Sequence, residues 1–346
     1  MSKKLKIYDI IWGNTEIDDF DIRKIIKHPS MQRIKKIWIS TYGYLFNLLR
    51  NSTRYDHSIG VYLLLKKFKA SKEEQVAGLI HDVSHTAFSH LSTYAMLGKF
   101  DGVEFHEMVH ERIIKESGLE DLISKIGFNP ENILHNKKHT MLENNLPDIC
   151  ADRLDYTIRD GLHLQILSRQ QVEKILQGLT VKNHEFVFKN KESAFIYSFT
   201  FYVLNLMFYG SPSEAHFNND FGNLVKYAVK SGVLNEKDWF TDDVFVVNKL
   251  NNTKNTKIIK WMNKYNNNMV VYEDTKNPDV IFPTKIRIVN PKILDGTKFK
   301  RLSKVDPVYK KLISDYQKSH KDHNIPVRVE YKNIKENKIN GSMDSR

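Results

Sequence analysis

Residues 78–90 read GLIHDVSHTAFSH, placing His81, Asp82, His85 and His90 on one short segment that is otherwise apolar or small. Imidazoles and a carboxylate are costly to bury without partners. The meaning of this stretch therefore depends on what the rest of the chain brings to meet it. Just upstream, Ser71 has the position of an N-cap with Glu74 reaching back, and Val76, Leu79, Ile80 and Val83 recur at helical spacing. A helix is predicted there, with His81 and Asp82 near its C-terminal end. His85 follows His81 by four residues and shares its face if that helix continues.

The partners are present. TRYDHSIG (53–60) carries Arg54 and His57, EFHEMVH (104–110) carries His106, and ADRLDYTIRD (151–160) carries Asp152, Arg153, Tyr156, Arg159 and Asp160. HSIGVYLLLKKF, EFHEMVHERIIKES and the stretch after Pro147 are each predicted as helices, and HEFVFKN as a hairpin strand. Two imidazoles and two carboxylates from different helices can meet at one divalent cation inside a bundle. Nitrogen and oxygen donors suit Zn, Fe, Mn or Ni. An isolated His-Asp pair would more often be a core histidine bonded to a carbonyl, but here the pair has an ordered set of companions.

In that order, RYDHSIG, AGLIHDVSHTAFSH, EFHE and ADRLDYTIRD resemble the motifs of the HD-domain phosphohydrolases, and more narrowly the deoxynucleoside triphosphate triphosphohydrolase branch. The resemblance runs from about Asp9 to Leu250. It implies a mainly α fold, an HD-domain helical bundle over residues 1–250; the change of texture after Asn251 suggests a smaller C-terminal α+β region over 251–330. It also implies a divalent metal ion (Mn, Fe, Mg, Ni or Zn) bound by His57, His81, Asp82 and Asp152. His85, His90 and His106 match positions of proton transfer and phosphate contact, and an imidazole is accessible in either proton state near neutral pH. Arg54 and Arg153 match phosphate contacts, the alternative for each being a structural ion pair with Asp56 or Asp155. Tyr156 and Asp160 match contacts to the nucleotide sugar, and fours from Asp152 to Tyr156 to Asp160 put all three on one helix face. His135, His139 and His163 have no motif support and read as surface or loop residues.

Three places depart from the branch. QRIKKIWIST (32–41) has Ile39 and Ser40 where a Gln-Leu pair contacts the deoxyribose, and Thr41 where a glycine stands. Thr93 occupies the position, three residues after His90, where the branch tends to carry an Asp or Glu; a hydroxyl cannot hold an imidazole by charge. LNLMFYGSPSEA (204–215) has no basic residue for a triphosphate chain.

The expected activity is hydrolysis of a nucleotide, with a (deoxy)nucleoside triphosphate as the leading case. Two alternatives remain open: a phosphatase for a monophosphate or another phosphate ester, and an HD regulator that binds nucleotide or nucleic acid without turnover. A net charge of +12 would draw polyanions, so nucleic acid is a possible partner from charge alone. Self-association follows from the resemblance only. The single Cys150 excludes an internal disulfide and fits a reducing, cytoplasmic setting. The N-terminus has no signal-peptide pattern. The most lipid-like window, residues 194–210, is short for a membrane span and reads as a buried core helix. Beyond Asn251, NMVVYED, IFPTKIRIVNP and IPVRVEY alternate apolar with polar residues and predict strands. The polar residues 331–346 are expected to be disordered.

Overall fold

A computed structural model describes residues 4–46, 52–93, 104–134, 139–265, 269–283, 287–319 and 324–331. The chain opens with a hairpin that the sequence reading did not anticipate: β1 (Leu5–Asp9) pairs antiparallel with β2 (Gly13–Ile17). Helices follow. Arg54–Lys67 starts on a capping box, in which Asp56 N donates to Thr53 Oγ1 at 3.2 Å and Thr53 N donates to Asp56 Oδ2 at 3.0 Å. This helix is buried around most of its circumference, because helices Lys72–Ile80 and Ala151–His163 pack on it.

Lys72–Ile80 is capped by Ser71 as expected, but Glu74 does not reach back. Its buried carboxylate instead accepts N–H bonds from Met141 (2.8 Å) and Leu142 (2.9 Å). A carboxylate enclosed among backbone donors gains more there than at its own helix terminus. Val76, Leu79, Ile80 and Val83 are all core residues. The helix stops at Ile80, so it does not carry His85 onto the face of His81. Tight turns take over, with Val83 N donating to the Ile80 carbonyl and His85 N to the Asp82 carbonyl.

The chain then passes through two non-glycine residues at positive φ, Phe88 (67°) and Ser89 (50°). This is a costly backbone for a bulky side chain, and it is held by distant contacts. Phe88 N donates to Asp243 Oδ1 at 2.6 Å, and Ala87 N donates to the Trp239 carbonyl at 2.8 Å. Asp243 Oδ2 also accepts Trp38 N at 3.0 Å.

The window 194–210 forms helix Lys191–Leu204 and a wider π turn at Asn205–Tyr209. Tyr197, Phe201 and Leu204 lie in the core, while Phe199 and Met207 face outward, so one side of the helix is uncovered. No described helix is long and apolar enough to cross a membrane.

HEFVFKN supplies β4 (Glu185–Phe188), paired with β3 (Leu179–Lys182). The chain beyond Asn251 provides β5 (Met269–Glu273), β6 (Val280–Pro283) and β9 (Asn324–Tyr331) at the expected places, ordered β5-β9-β6. This sheet packs against helix Pro212–Lys230. Arg287–Pro291, within the expected strand IFPTKIRIVNP, is irregular. Two strands not foreseen, β7 (Lys292–Asp295) and β8 (Lys298–Arg301), extend the β3–β4 hairpin into a sheet ordered β3-β4-β7-β8, with Phe188 beside Ile293 in parallel. Segments on both sides of Asn251 thus share one sheet. Helices Thr256–Met262 and Pro307–Ser319 also lie beyond it. The tail expected to be disordered lies outside the described residues, apart from Tyr331 at the end of β9.

Candidate metal centre

The capping box at Thr53 sets the start of its helix and places His57 near the end of the first turn, buried. His57 Nδ1 donates to Asp155 Oδ2 at 2.7 Å. Its Nε2 lies 2.9 Å from Asp152 Oδ1 and 3.3 Å from His81 Nε2. His81, the C-cap of its own helix, donates from Nδ1 to the Gly78 carbonyl at 2.8 Å. With both Nδ1 atoms committed to acceptors, both Nε2 atoms face one small space, and Asp152 Oδ1 stands 3.6 Å from the second of them.

Two imidazole nitrogens and a carboxylate oxygen cannot share that space without positive charge between them. Burial opposes a charged His57, but its hydrogen bonds to Asp152 and Asp155 more than offset this and push its pKa up to about 10. His81 is raised as well: burial works against it, and the Asp82 charge and the Asp152 hydrogen bond work for it. Desolvation would raise the half-buried Asp152, yet the two histidines hold it far below the carboxylate range. Protons thus supply the missing charge when nothing else does. The same donors, two imidazole nitrogens and a carboxylate, are able to hold a divalent metal ion.

Asp82 borders this trio. Its Oδ1 is 3.5 Å from His81 Nε2 and 3.3 Å from His85 Nε2, and its Oδ2 accepts Arg54 Nη1 at 3.0 Å. Although Asp82 is buried, the charges of Arg54, His81 and His85 keep it well below its ordinary pKa.

The other three histidines form a second group beside the first. His85 and His106 stack with ring centroids 3.7 Å apart, and the ring of His90 is 5.1 Å from that of His85. Burial, with Arg54 and His106 nearby, holds His85 well below its normal pKa. Burial and the neighbouring His90 take His106 down to about 3. Both rings are therefore neutral at physiological pH. His85 Nδ1 is buried and has no partner among the described residues. His90 faces outward, accepts Arg54 Nη2 at Nε2 (2.9 Å) and donates from Nδ1 to Glu104.

That last contact corrects the expectation drawn from Thr93. A carboxylate does hold His90, and it comes from Glu104, at the N-terminal edge of helix Phe105–Glu116. Glu104 Oε2 also lies 3.4 Å from His106 Nδ1. Thr93 supports the arrangement indirectly, because its Oγ1 accepts the Phe105 N–H at 3.1 Å and pins the start of that helix.

The remaining candidates divide. Arg54 reaches the site and pairs with Asp82, not with Asp56 or Asp155. Arg153 is tied to Glu143 (2.8 Å) and the Asp148 carbonyl (3.0 Å), so its anticipated partner is also different. Tyr156 has its ring 6.4 Å from that of His57. Asp160 accepts the Tyr209 hydroxyl at 2.5 Å, brought there by the π turn. His139 lies in a loop, one of the two expected placements, but is buried there, with Nε2 donating to the Asn132 carbonyl at 2.7 Å. His163 is half-buried at the end of its helix, and His135 lies outside the described residues.

Sequence reasoning missed Glu104, Asp155 as the support of His57, Tyr209 and His110. The last is a half-buried imidazole, down to about 4 chiefly through desolvation, that meets Ser84 Oγ at 2.9 Å. Glu104 sits inside the quoted EFHE motif and Asp155 one helical turn after Asp152, so both had a signal. Tyr209 had none.

The HD domain family model matches residues 54–160. The uncharacterized protein YdhJ of Bacillus subtilis is 32% identical over 92% of this chain and 97% of its own length. The metal-dependent phosphohydrolase cns2 of Cordyceps militaris is 25% identical over 67% of this chain and 68% of its own. A deoxynucleoside triphosphate triphosphohydrolase SAMHD1 homolog of Dictyostelium discoideum is 26% identical over 59% of this chain and 45% of its own. A hypothetical protein from Aquifex aeolicus shares the fold with a TM-score of 0.70 over 95% of this chain and 96% of its own, at 16% identity. With these likenesses spanning both the motifs and the regions around them, the chain belongs to the HD-domain metal-dependent phosphohydrolase family.

Proposed function

We propose that the protein hydrolyses a phosphoryl bond of a nucleotide, most plainly of a (deoxy)nucleoside triphosphate, with His57, His81, Asp82 and Asp152 holding the metal. The observation that carries the reading is the opposition of His57 Nε2 and His81 Nε2 at 3.3 Å beside Asp152, with both Nδ1 atoms engaged elsewhere. When bound, a divalent cation supplies Lewis acidity, drawing charge from a phosphoryl group and acidifying water. Asp155 and the Gly78 carbonyl fix the tautomers of the two histidines.

Arg54 spans the two halves of the site. It steadies Asp82 with Nη1, faces His90 Nε2 with Nη2 and reaches Ser89 Oγ with Nε, so its charge stands fixed beside the site, where phosphate oxygens would approach. The neutral His85 and His106 offer ring nitrogens to a proton or a phosphate oxygen without carrying charge of their own. His90 holds a proton at Nδ1 against Glu104, so a proton arriving at its Nε2 side has a carboxylate to balance it. Tyr156, with Asp160 and Tyr209 behind it, would line the sugar side.

The nucleotide substrate rests on the motif resemblance and on the named activity of the SAMHD1 homolog, at 26% identity. One observation favours a second reading: Arg153 is tied to Glu143 and Asp148, and residues 204–215 contribute no cation. A site with fewer phosphate-binding cations suits a monophosphate or another simple ester. A panel of nucleoside mono-, di- and triphosphates with Mn, Mg, Fe, Ni and Zn tests both. Tripolyphosphate release supports triphosphate hydrolysis; orthophosphate from monophosphates alone supports the second reading. Tight nucleotide binding with no release under any metal would leave a binding protein and end the enzymatic proposal.

A further inference from the structure

The support of His57 does not stop at Asp155. Asp155 is fully buried, and both its oxygens are gripped by Arg159: Nε donates to Oδ2 at 2.8 Å and Nη2 to Oδ1 at 2.9 Å. Arg159 Nη2 also donates to Asp9 Oδ2 at 2.8 Å. Asp9 is the last residue of β1, in the N-terminal hairpin, far along the chain from the motifs. Its other oxygen, Oδ1, accepts Ile11 N (2.7 Å) and Trp12 N (3.0 Å) and so shapes the turn of that hairpin. The side chains alternate in charge from Asp9 through Arg159 and Asp155 to His57, all out of water.

The helix that bears His57 is built to admit this line. A Cβ on Gly60, one turn after His57, would stand 2.0 Å from Arg159 Nη2 and 2.0 Å from Asp155 Oδ1. Only glycine leaves that passage open.

We propose that Asp9 is a positioning residue for the metal-binding His57, acting through Arg159 and Asp155. The proposal rests on the reading of His57 as a ligand. A buried guanidinium needs acceptors around its plane. With Asp9 in place, one edge of Arg159 is satisfied by the hairpin, and Asp155 remains aimed at His57 Nδ1. Without it, Arg159 is left with an unpaired N–H and leans on Asp155 alone, drawing that carboxylate away from the imidazole. Outer partners of metal ligands commonly govern affinity by one to two orders of magnitude. The hairpin therefore belongs to the metal centre although it contributes no ligand.

The test is Mn(II) titration by calorimetry of the full chain, comparing the native protein with Asp9→Asn, Asp155→Asn and the double variant. In Asp9→Asn, Oδ1 still accepts the turn N–H groups, while an amide NH2 now faces Arg159. Asp9→Asn is expected to weaken Mn(II) binding by about tenfold. In the Asp155→Asn background it should add less than about twofold, because the link is already cut. Native-like affinity in Asp9→Asn overturns the proposal, and so does an equal loss in both backgrounds, which would indicate general destabilisation. Should Asp9→Asn fail to fold by circular dichroism, Arg159→Lys replaces it: the charge is kept and the hairpin is untouched, but the ammonium gives up the separate Nε bond to Asp155 Oδ2, the oxygen that accepts His57 Nδ1, so the same tenfold loss is expected and its absence is fatal. A native chain that binds none of Mn(II), Fe(II), Ni(II) and Zn(II) would instead remove the ligand reading itself.

Discussion

Glu104 follows His90 by fourteen residues and its carboxylate meets His90 Nδ1, taking the place of the acidic residue missing at Thr93. The same oxygen lies 3.4 Å from His106 Nδ1. One carboxylate thus orients two of the three histidines in the second group. Although it is largely buried, His90 and His106 beside it bring its pKa down to about 2, so it stays charged across the working range.

Replacing Glu104 with Gln keeps the shape and removes the charge. Turnover on whichever substrate the panel identifies should fall by about 10²-fold or more, with metal content unchanged. Native turnover in this variant would show that His90 works without its carboxylate.

His81→Ala and Asp152→Ala each remove a donor from the opposed trio. Metal content, measured by elemental analysis of the purified protein, should drop to background together with hydrolysis. Full metal loading in His81→Ala would mean that the ligands are elsewhere.

His85→Ala should separate binding from turnover. His85 touches Asp82 but lies outside the opposed trio. The expected result is retained metal and a rate lower by roughly 10²–10⁴-fold. Metal loss equal to that of His81→Ala would make His85 a ligand.

Asp243 gives a prediction on stability. It is buried without solvent, and this pushes its pKa up to about 7 despite the N–H bonds from Phe88 and Trp38. Because the folded-state value lies above the ordinary 3.8, the folded protein holds the extra proton, and the stabilisation present below that value is lost as pH rises through 7. Asp243→Asn abolishes this dependence, at a cost of about 1–3 kcal/mol for an imperfectly replaced acceptor. In thermal unfolding the variant should trail the native protein clearly at pH 5 and less at pH 8. A gap that widens with pH would refute the assignment. The Phe88–Ser89 turn depends on this anchor, so turnover should fall as well.

Much of the candidate site was legible because its residues sit at fixed offsets on helices. The pattern of Val76, Leu79 and Ile80 located the helix that ends at His81, and the spacing within ADRLDYTIRD set Asp152, Tyr156 and Asp160 along one helix. Helical geometry is local, so a few residues of sequence determine it. The family motifs supplied the ligand candidates in order. The sequence also suggested three strands beyond Asn251 through their alternation.

What only the tertiary structure decided is how side chains distant in sequence pair within a low-dielectric interior. Glu104 on His90, Asp9 on Arg159, Asp243 on Phe88, Glu74 on Met141 and the pairing of β7 with β4 all join segments whose encounter no local periodicity encodes. Arg153 and Arg54 look alike beside their motifs, yet one turns to Glu143 and the other to Asp82. Each buried charge takes the partner that packing places within reach, and packing is a property of the whole chain.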